Sequence, residues 1–109
     1  MLLSELLEKT DFEILNRGER GDVELSNVFT SDMLSFVMAN GQAGAVWVTV
    51  MCNPNSVAVA MLTDMPCIVF ASGVNVDEIT LNKAKDQGLA VLKSKEPVFE
   101  TAMKIYKMM

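Results

Sequence analysis

The run Ala45-Val46-Trp47-Val48-Thr49-Val50-Met51 is near-continuously β-branched and aromatic and shows almost no alternation with polar residues. A β-branched and aromatic run of this kind suits a strand covered on both faces, because successive side chains point to opposite sides and all of them must stay dry. It predicts the centre of a sheet. Pro66 to Ala71 repeats the pattern and predicts another buried strand, and Leu89 to Leu92 predicts a short final one. Between these runs the spacing changes to helical. Asn53 before Pro54 is a helix start with a cause, since the amide side chain caps while proline fills a first-turn position that needs no N–H. That helix is expected to run to about Thr63. Asn75-x-x-Glu78, a variant capping box, opens a helix to Gln87, Gly88 stops it, and Pro97 opens a last helix through about Lys107. From Ala45 onward strands and helices therefore alternate, with connections too long for hairpins. This predicts an α/β fold, a mainly parallel sheet flanked by helices and joined by right-handed crossovers. The expected core holds Val46, Val48, Val50, Val57, Met61, Ile68, Phe70, Ile79 and Leu89, with Trp47 covered by helices on the opposite face.

The first forty residues are less regular. Ser4 is placed to cap a short helix through about Lys9 with Leu3, Leu6 and Leu7 on one face, and Phe12 to Leu15 alternates like a strand. Gly18 to Asp22 marks a turn, and Val23 to Phe29 follows with Val23, Leu25 and Asn27 on one side, which predicts a hairpin or an offset strand pair. Thr30-Ser31-Asp32 offers capping oxygens for a helix from Met33 to about Asn40, whose Met33, Phe36 and Val37 share a face.

Composition narrows the function more than it names one. The 109 residues suit one domain, taken as 1–109, and half of them are apolar, which supplies a core without disulfide staples. The two cysteines, Cys52 and Cys67, match neither C-x-x-C nor zinc-ligand spacing, and with no histidine present no metal site and no cofactor is expected. They read as reduced thiols of a cytoplasmic protein. Met1-Leu2-Leu3 is followed at once by Glu5, Glu8 and Lys9, so no export signal is expected, and no stretch approaches the roughly 18 apolar residues that cross a bilayer. A net charge of −5, with the nine basic residues scattered, argues against nucleic acid.

The order of elements and several local phrases resemble the DRTGG domain family. The resemblance covers nearly the whole chain. Its best passages are Ser31-Asp32-Met33-Leu34-Ser35-Phe36-Val37-Met38-Ala39-Asn40, then Asn55-Ser56-Val57-Ala58-Val59-Ala60, and the strand, glycine and helix from Ile68 through Lys85. The motif that names the family falls on Asp22, Val23, Ser26, Asn27 and Val28, of which only Asp22 is retained. The resemblance implies an architecture like the N-terminal domains of HPr kinase and of the muramyl ligases. It implies a regulatory or assembly role, because such domains accompany CBS domains in some pyrophosphatases and precede catalytic domains in some phosphotransacetylases. No kinase chemistry is implied, since G-x-x-x-x-G-K-[ST] is absent.

In open α/β sheets ligands sit beyond the carboxyl ends of the strands, here the loops after Met51, Ala71 and Leu92. Asn53, Asn55, Ser56, Ser72, Gly73 and Ser94 are the candidate ligand-binding residues, with Lys95 beside them, and exposed N–H groups there suit a small anion. The competing reading is that Asn53 caps, Ser72-Gly73 turns and Lys95 is a solvated charge. Asp22 and Glu24 share a strand face, as acid–base pairs do and as solvated carboxylates commonly do. Cys52 at a strand end is either a low-pKa thiol or a packed one. Without histidine, and with no residue marked for a shifted pKa, an enzyme is not expected. The expected function is a non-catalytic regulatory or ligand-sensing domain acting through dimerisation or partner association, the alternative being a scaffold module that binds no small molecule. Nine methionines, and a terminal helix with Phe99, Ala102, Met103 and Tyr106 in one stripe and Val98 and Ile105 towards another side, point to a homodimer.

Overall fold

A computed structural model describes residues 1–109. Its elements are α1 (Leu3–Lys9), β1 (Glu13–Asn16), β2 (Val28–Thr30), α2 (Leu34–Asn40), β3 (Val46–Thr49), α3 (Pro54–Leu62), β4 (Cys67–Phe70), α4 (Glu78–Gln87), β5 (Ala90–Lys93) and α5 (Val98–Tyr106). The strands form one five-stranded sheet in the order β1-β5-β4-β3-β2. From β2 to β5 every neighbouring pair is parallel, and only β1 runs antiparallel, against β5. The α/β class and the parallel run of the three apolar segments are as the sequence predicts.

The unalternating runs are explained by two cores, one on each face of the sheet. Val46, Val48, Cys67, Val69 and Leu92 pack with Leu3 and Leu6 of α1 and Ile105 of α5. Trp47, Ile68, Phe70 and Val91 pack with Val37 of α2, Val57 and Ala60 of α3, and Ala84 of α4. Trp47 is fully buried, and its indole N–H donates to the Ser31 carbonyl at 2.9 Å, so the ring stays dry without orphaning its polar atom. Asn53 caps α3 as expected, accepting from the N–H groups of Asn55 at 2.8 Å and Ser56 at 3.3 Å with Pro54 at the first position. Gly88 ends α4 in the left-handed region at φ 68°.

Several local expectations are overturned. β1 and β2 form no hairpin, because they lie at opposite edges of the sheet. The segment expected as a strand from Val23 is regular only from Val28, and its first part bridges Leu2 through Glu24 instead. Ser4 does not cap α1; its N–H and hydroxyl both donate to the Asp22 carboxylate at 3.0 Å, so the acid contributes to holding that helix from across the chain. Asp77, not Asn75, caps α4, by accepting from the Thr80 N–H. Asp32 does not cap α2. Its carboxylate accepts from the Thr49 hydroxyl at 2.7 Å and the Val50 N–H at 3.0 Å, tying the loop after β2 to the end of β3. Ile79 is 71 % exposed, since α4 turns Thr80 and Ala84 inward and leaves that position on the solvent side, and Val50 and Met61 are only half-buried. On α2 only Val37 is buried, while Met33 and Phe36 face outward.

Candidate functional site

The helices that follow β2, β3 and β4 share one face, whereas α5, which follows β5, packs over β2 and β3 on the other. The loops leaving β4 and β5 therefore diverge to opposite sides of the sheet. This is the topological situation that opens a crevice at the carboxyl ends of parallel strands. Ser72, Gly73 and Ser94 of the candidate set all lie there.

The structure uses most of their polar groups locally. The Ser72 N–H donates to the Glu96 carbonyl at 2.7 Å and the Gly73 N–H to the Ser94 carbonyl at 2.9 Å, two backbone bonds that cross the divergence. Ser72 at φ 60° and Gly73 at φ 63° are both left-handed, the conformation that turns these N–H groups towards the neighbouring loop. Ser94 is buried. Its hydroxyl pairs with that of Thr101 at 2.8 Å and accepts from the Glu96 N–H at 3.1 Å, while Thr101 donates on to the Glu96 carbonyl. Ser94 therefore anchors the start of α5. Asn53 serves its own helix, and Ser56, buried beside it, donates from its hydroxyl to the Met51 carbonyl. Asn55 remains exposed on the first turn.

Beside the closed seam lies a cleft of about 320 Å³. It brings Gly73 and Ser94 together with Lys93, Lys95, Lys104, Asp11, Glu13 and Glu96, and leaves out Asn53, Asn55, Ser56 and Ser72. Lys104 is committed to two carboxylates, Glu96 at 2.9 Å and Asp11 at 3.3 Å, and these partners, Glu96 first, hold its pKa above the ordinary lysine value. Its ammonium also stands 5.6 Å above the Phe12 ring. Lys93 and Lys95 make no ion pair within 4 Å, although Glu13 stands opposite Lys93 in the β1–β5 register, so three lysines and three carboxylates face the cleft. Position-by-position reading of the loops found Lys95 but not Lys93 or Lys104, since Lys93 ends a strand and Lys104 comes from the far helix.

Neither thiol is activated. Burial, followed by the charge of Asp77, raises the Cys52 pKa, and burial alone pushes Cys67 up to about 12. The low-pKa alternative for Cys52 is thereby corrected. Asp22 and Glu24 do not form an acid–base pair either: Asp22 serves the first turn of α1 and Glu24 pairs with the amino terminus at 2.7 Å. No three His, Cys, Asp or Glu side chains are grouped so as to hold a metal ion, and no helix is long and apolar enough to cross a membrane.

A second surface feature is apolar. Val28 and Thr30 of β2, with Val98, Phe99, Ala102, Met103 and Tyr106 of α5, line an open groove of about 460 Å³ along the β2 edge.

No family model matches the chain, and no curated protein does. Among solved structures the chain is similar to the CBS and DRTGG domains of the regulatory region of Clostridium perfringens pyrophosphatase, complexed with the activator diadenosine tetraphosphate. The two share a fold with a TM-score of 0.76 at 16 % identity, over 95 % of this chain and 45 % of the other, so the chain spans less than half the length of that structure.

Proposed function

We propose that this chain is a non-catalytic regulatory domain that senses a small anionic ligand and acts through dimerisation or partner association. The observation that carries the reading is the cleft where the β4 and β5 loops part, which sets the unpaired Lys93 and Lys95 beside Gly73 and Ser94. The shared fold with a regulatory region that binds a nucleotide activator supports the same role, and agrees with a DRTGG resemblance that covers nearly the whole chain. The ligand class is a phosphate-bearing metabolite, for which ammonium groups and a glycine-lined wall are the fitting chemistry. Asn53, Asn55 and Ser72 of the wider candidate set lie at the same carboxyl ends of the strands and are part of the proposal, whereas Ser56, fully buried with its hydroxyl on the Met51 carbonyl, serves α3. Two free thiols, one buried and one half-buried, fit the reducing cytoplasm as its compartment.

A specific observation favours a second reading, a scaffold that binds no small molecule. The Ser72 and Gly73 N–H groups, which an anion would need, already bond the opposite loop. A thermal-shift screen with nucleotides, diadenosine tetraphosphate and phosphorylated metabolites separates the two. A ligand held only by the native state stabilises it by about 2.7 kcal/mol at a hundred times its Kd, worth several degrees at this size. The sensing reading expects such a shift, reduced by Lys95→Gln. A flat screen supports the scaffold.

A further inference from the structure

The groove between β2 and α5 joins two features that each need a partner. β2 is a sheet edge whose three residues, Val28, Phe29 and Thr30, include no charge and no proline, and its outer backbone groups bond no strand. Alongside it, Phe99, Met103 and Tyr106 stand at i, i+4 and i+7 of α5 and form an outward stripe, with Phe99 70 % and Tyr106 59 % exposed. Thr101 and Ile105, on the opposite side of the helix, already fill the sheet-facing side.

Charge identifies the occupant. On the flank of the stripe away from β2, the helical repeat places Glu100 near one end and Lys107 near the other, two turns apart and too far to pair with each other. Neither makes an ion pair within the chain. A surface with an acid at one end and a base at the other is complementary to itself when a second copy lies antiparallel across it. A two-fold axis perpendicular to both helices keeps like flanks on the same side, so it brings Glu100 to Lys107 and at the same time sets the two β2 edges antiparallel.

We propose that α5 and the β2 edge form a two-fold interface between two copies of this chain, in which Glu100 of each meets the partner's Lys107. The proposal rests on the reading that the domain works by association, and names the partner and the surface. Sedimentation equilibrium on the 109-residue chain tests it with three variants, all at exposed positions. Wild type is a dimer. Glu100→Lys and Lys107→Glu each weaken the dimer about ten-fold or more, because each replaces two symmetry-related attractions with repulsions. The double variant, Glu100→Lys with Lys107→Glu, restores it. A dimer indifferent to both single changes overturns this interface while leaving association intact. A wild-type monomer up to near-millimolar concentration overturns the interface and the dimer reading together.

Discussion

The sheet ends differently on its two sides. β1 runs antiparallel to β5, carries the charged Glu13, and is irregular between Ile14 and Asn16. The Asn16 side-chain amide donates to the Leu89 carbonyl at 2.7 Å, and just beyond it Gly18 lies against the backbone that enters β5. Close by, Lys104 clasps Asp11 and Glu96. Charge, bulge and a closely fitted turn are the features by which a sheet edge avoids pairing with another chain. β2 has none of them. A domain guarded at one edge and bare at the other is open to strand pairing only at the bare one, and it is there that the apolar stripe of α5 lies.

The strongest way to break this comparison is at the guarded edge. Gly18 has φ 78°, and a Cβ there would stand 2.8 Å from the Ala90 nitrogen and 2.9 Å from the Gly88 carbonyl oxygen, both backbone atoms. Gly18→Ala is therefore expected to cost about 2–4 kcal/mol by chemical denaturation. Gly21 has a similar φ of 72° but open space around it, so Gly21→Ala carries the left-handed penalty alone, about 1 kcal/mol. Equal losses at the two glycines would show that the β1 turn is not closely fitted.

At the bare edge the expected effect is on association. Phe99→Ser removes a large exposed side chain twice over from a two-fold contact and is expected to weaken the dimer about a hundred-fold. Monomer stability should change by less than about 0.5 kcal/mol, because the ring covers little of the core. Hydrogen exchange sharpens the same point: the β2 amides that do not bond β3 should gain protection as protein concentration rises, and β1 amides should not. Unfolding of the variant at low concentration would place Phe99 in the core instead.

How far the sequence reaches follows the same division. The central strands were legible because Val46 to Thr49, Cys67 to Phe70 and Ala90 to Lys93 lie between two covering layers, and that environment writes itself as continuous apolar runs. Asn53-Pro54 and Gly88 were legible because their causes are local. The edges were not. Gly18 to Asp22 does interrupt regular structure, yet whether the strands on either side pair with each other or with β5 and β3 depends on contacts more than fifteen residues away. The α4 cap is two residues later than expected because Asn75 and Asp77 both offer a suitable oxygen, and Ile79 lies outside because Thr80 and Ala84 take the inward face. The candidate site was half legible for a related reason. Gly73 and Ser94 follow strand ends, whereas Lys104 reaches the cleft from α5, and the backbone bonds that occupy Ser72 and Gly73 leave no mark on the sequence.

A smaller effect is expected where β5 hands the chain to α5. Ser94→Ala removes the buried hydroxyl that pairs with Thr101 and leaves the Glu96 N–H without its acceptor, which should cost about 1–2 kcal/mol. Because Ser94 also lines the cleft, any ligand shift from the thermal screen should be measured on this variant relative to its own baseline. A loss of stability below about 0.5 kcal/mol would mean that the loop relaxes to recover the bond, and that the seam between the β4 and β5 loops is looser than its geometry implies.

The smallest effect belongs to Lys104, even though it makes more charged contacts than any other side chain. Its partners Asp11 and Glu96 are substantially exposed, and water and salt screen pairs of this kind. Its pKa is raised in the folded state, by the Glu96 contact first and Asp11 next. A raised folded pKa means that the folded state holds the proton more tightly, so the stabilisation is complete below the ordinary lysine value and is lost as pH climbs through the higher folded one. Lys104→Gln should therefore unfold at almost the same denaturant midpoint as wild type at neutral pH in high salt, with a slight deficit in low salt. Wild type alone should lose that margin on the alkaline side, and the two curves should converge there. A deficit that persists in high salt and does not shrink with alkaline pH would indicate that the lysine stem packing on Phe12, rather than the ion pairs, is what guards the β1 edge.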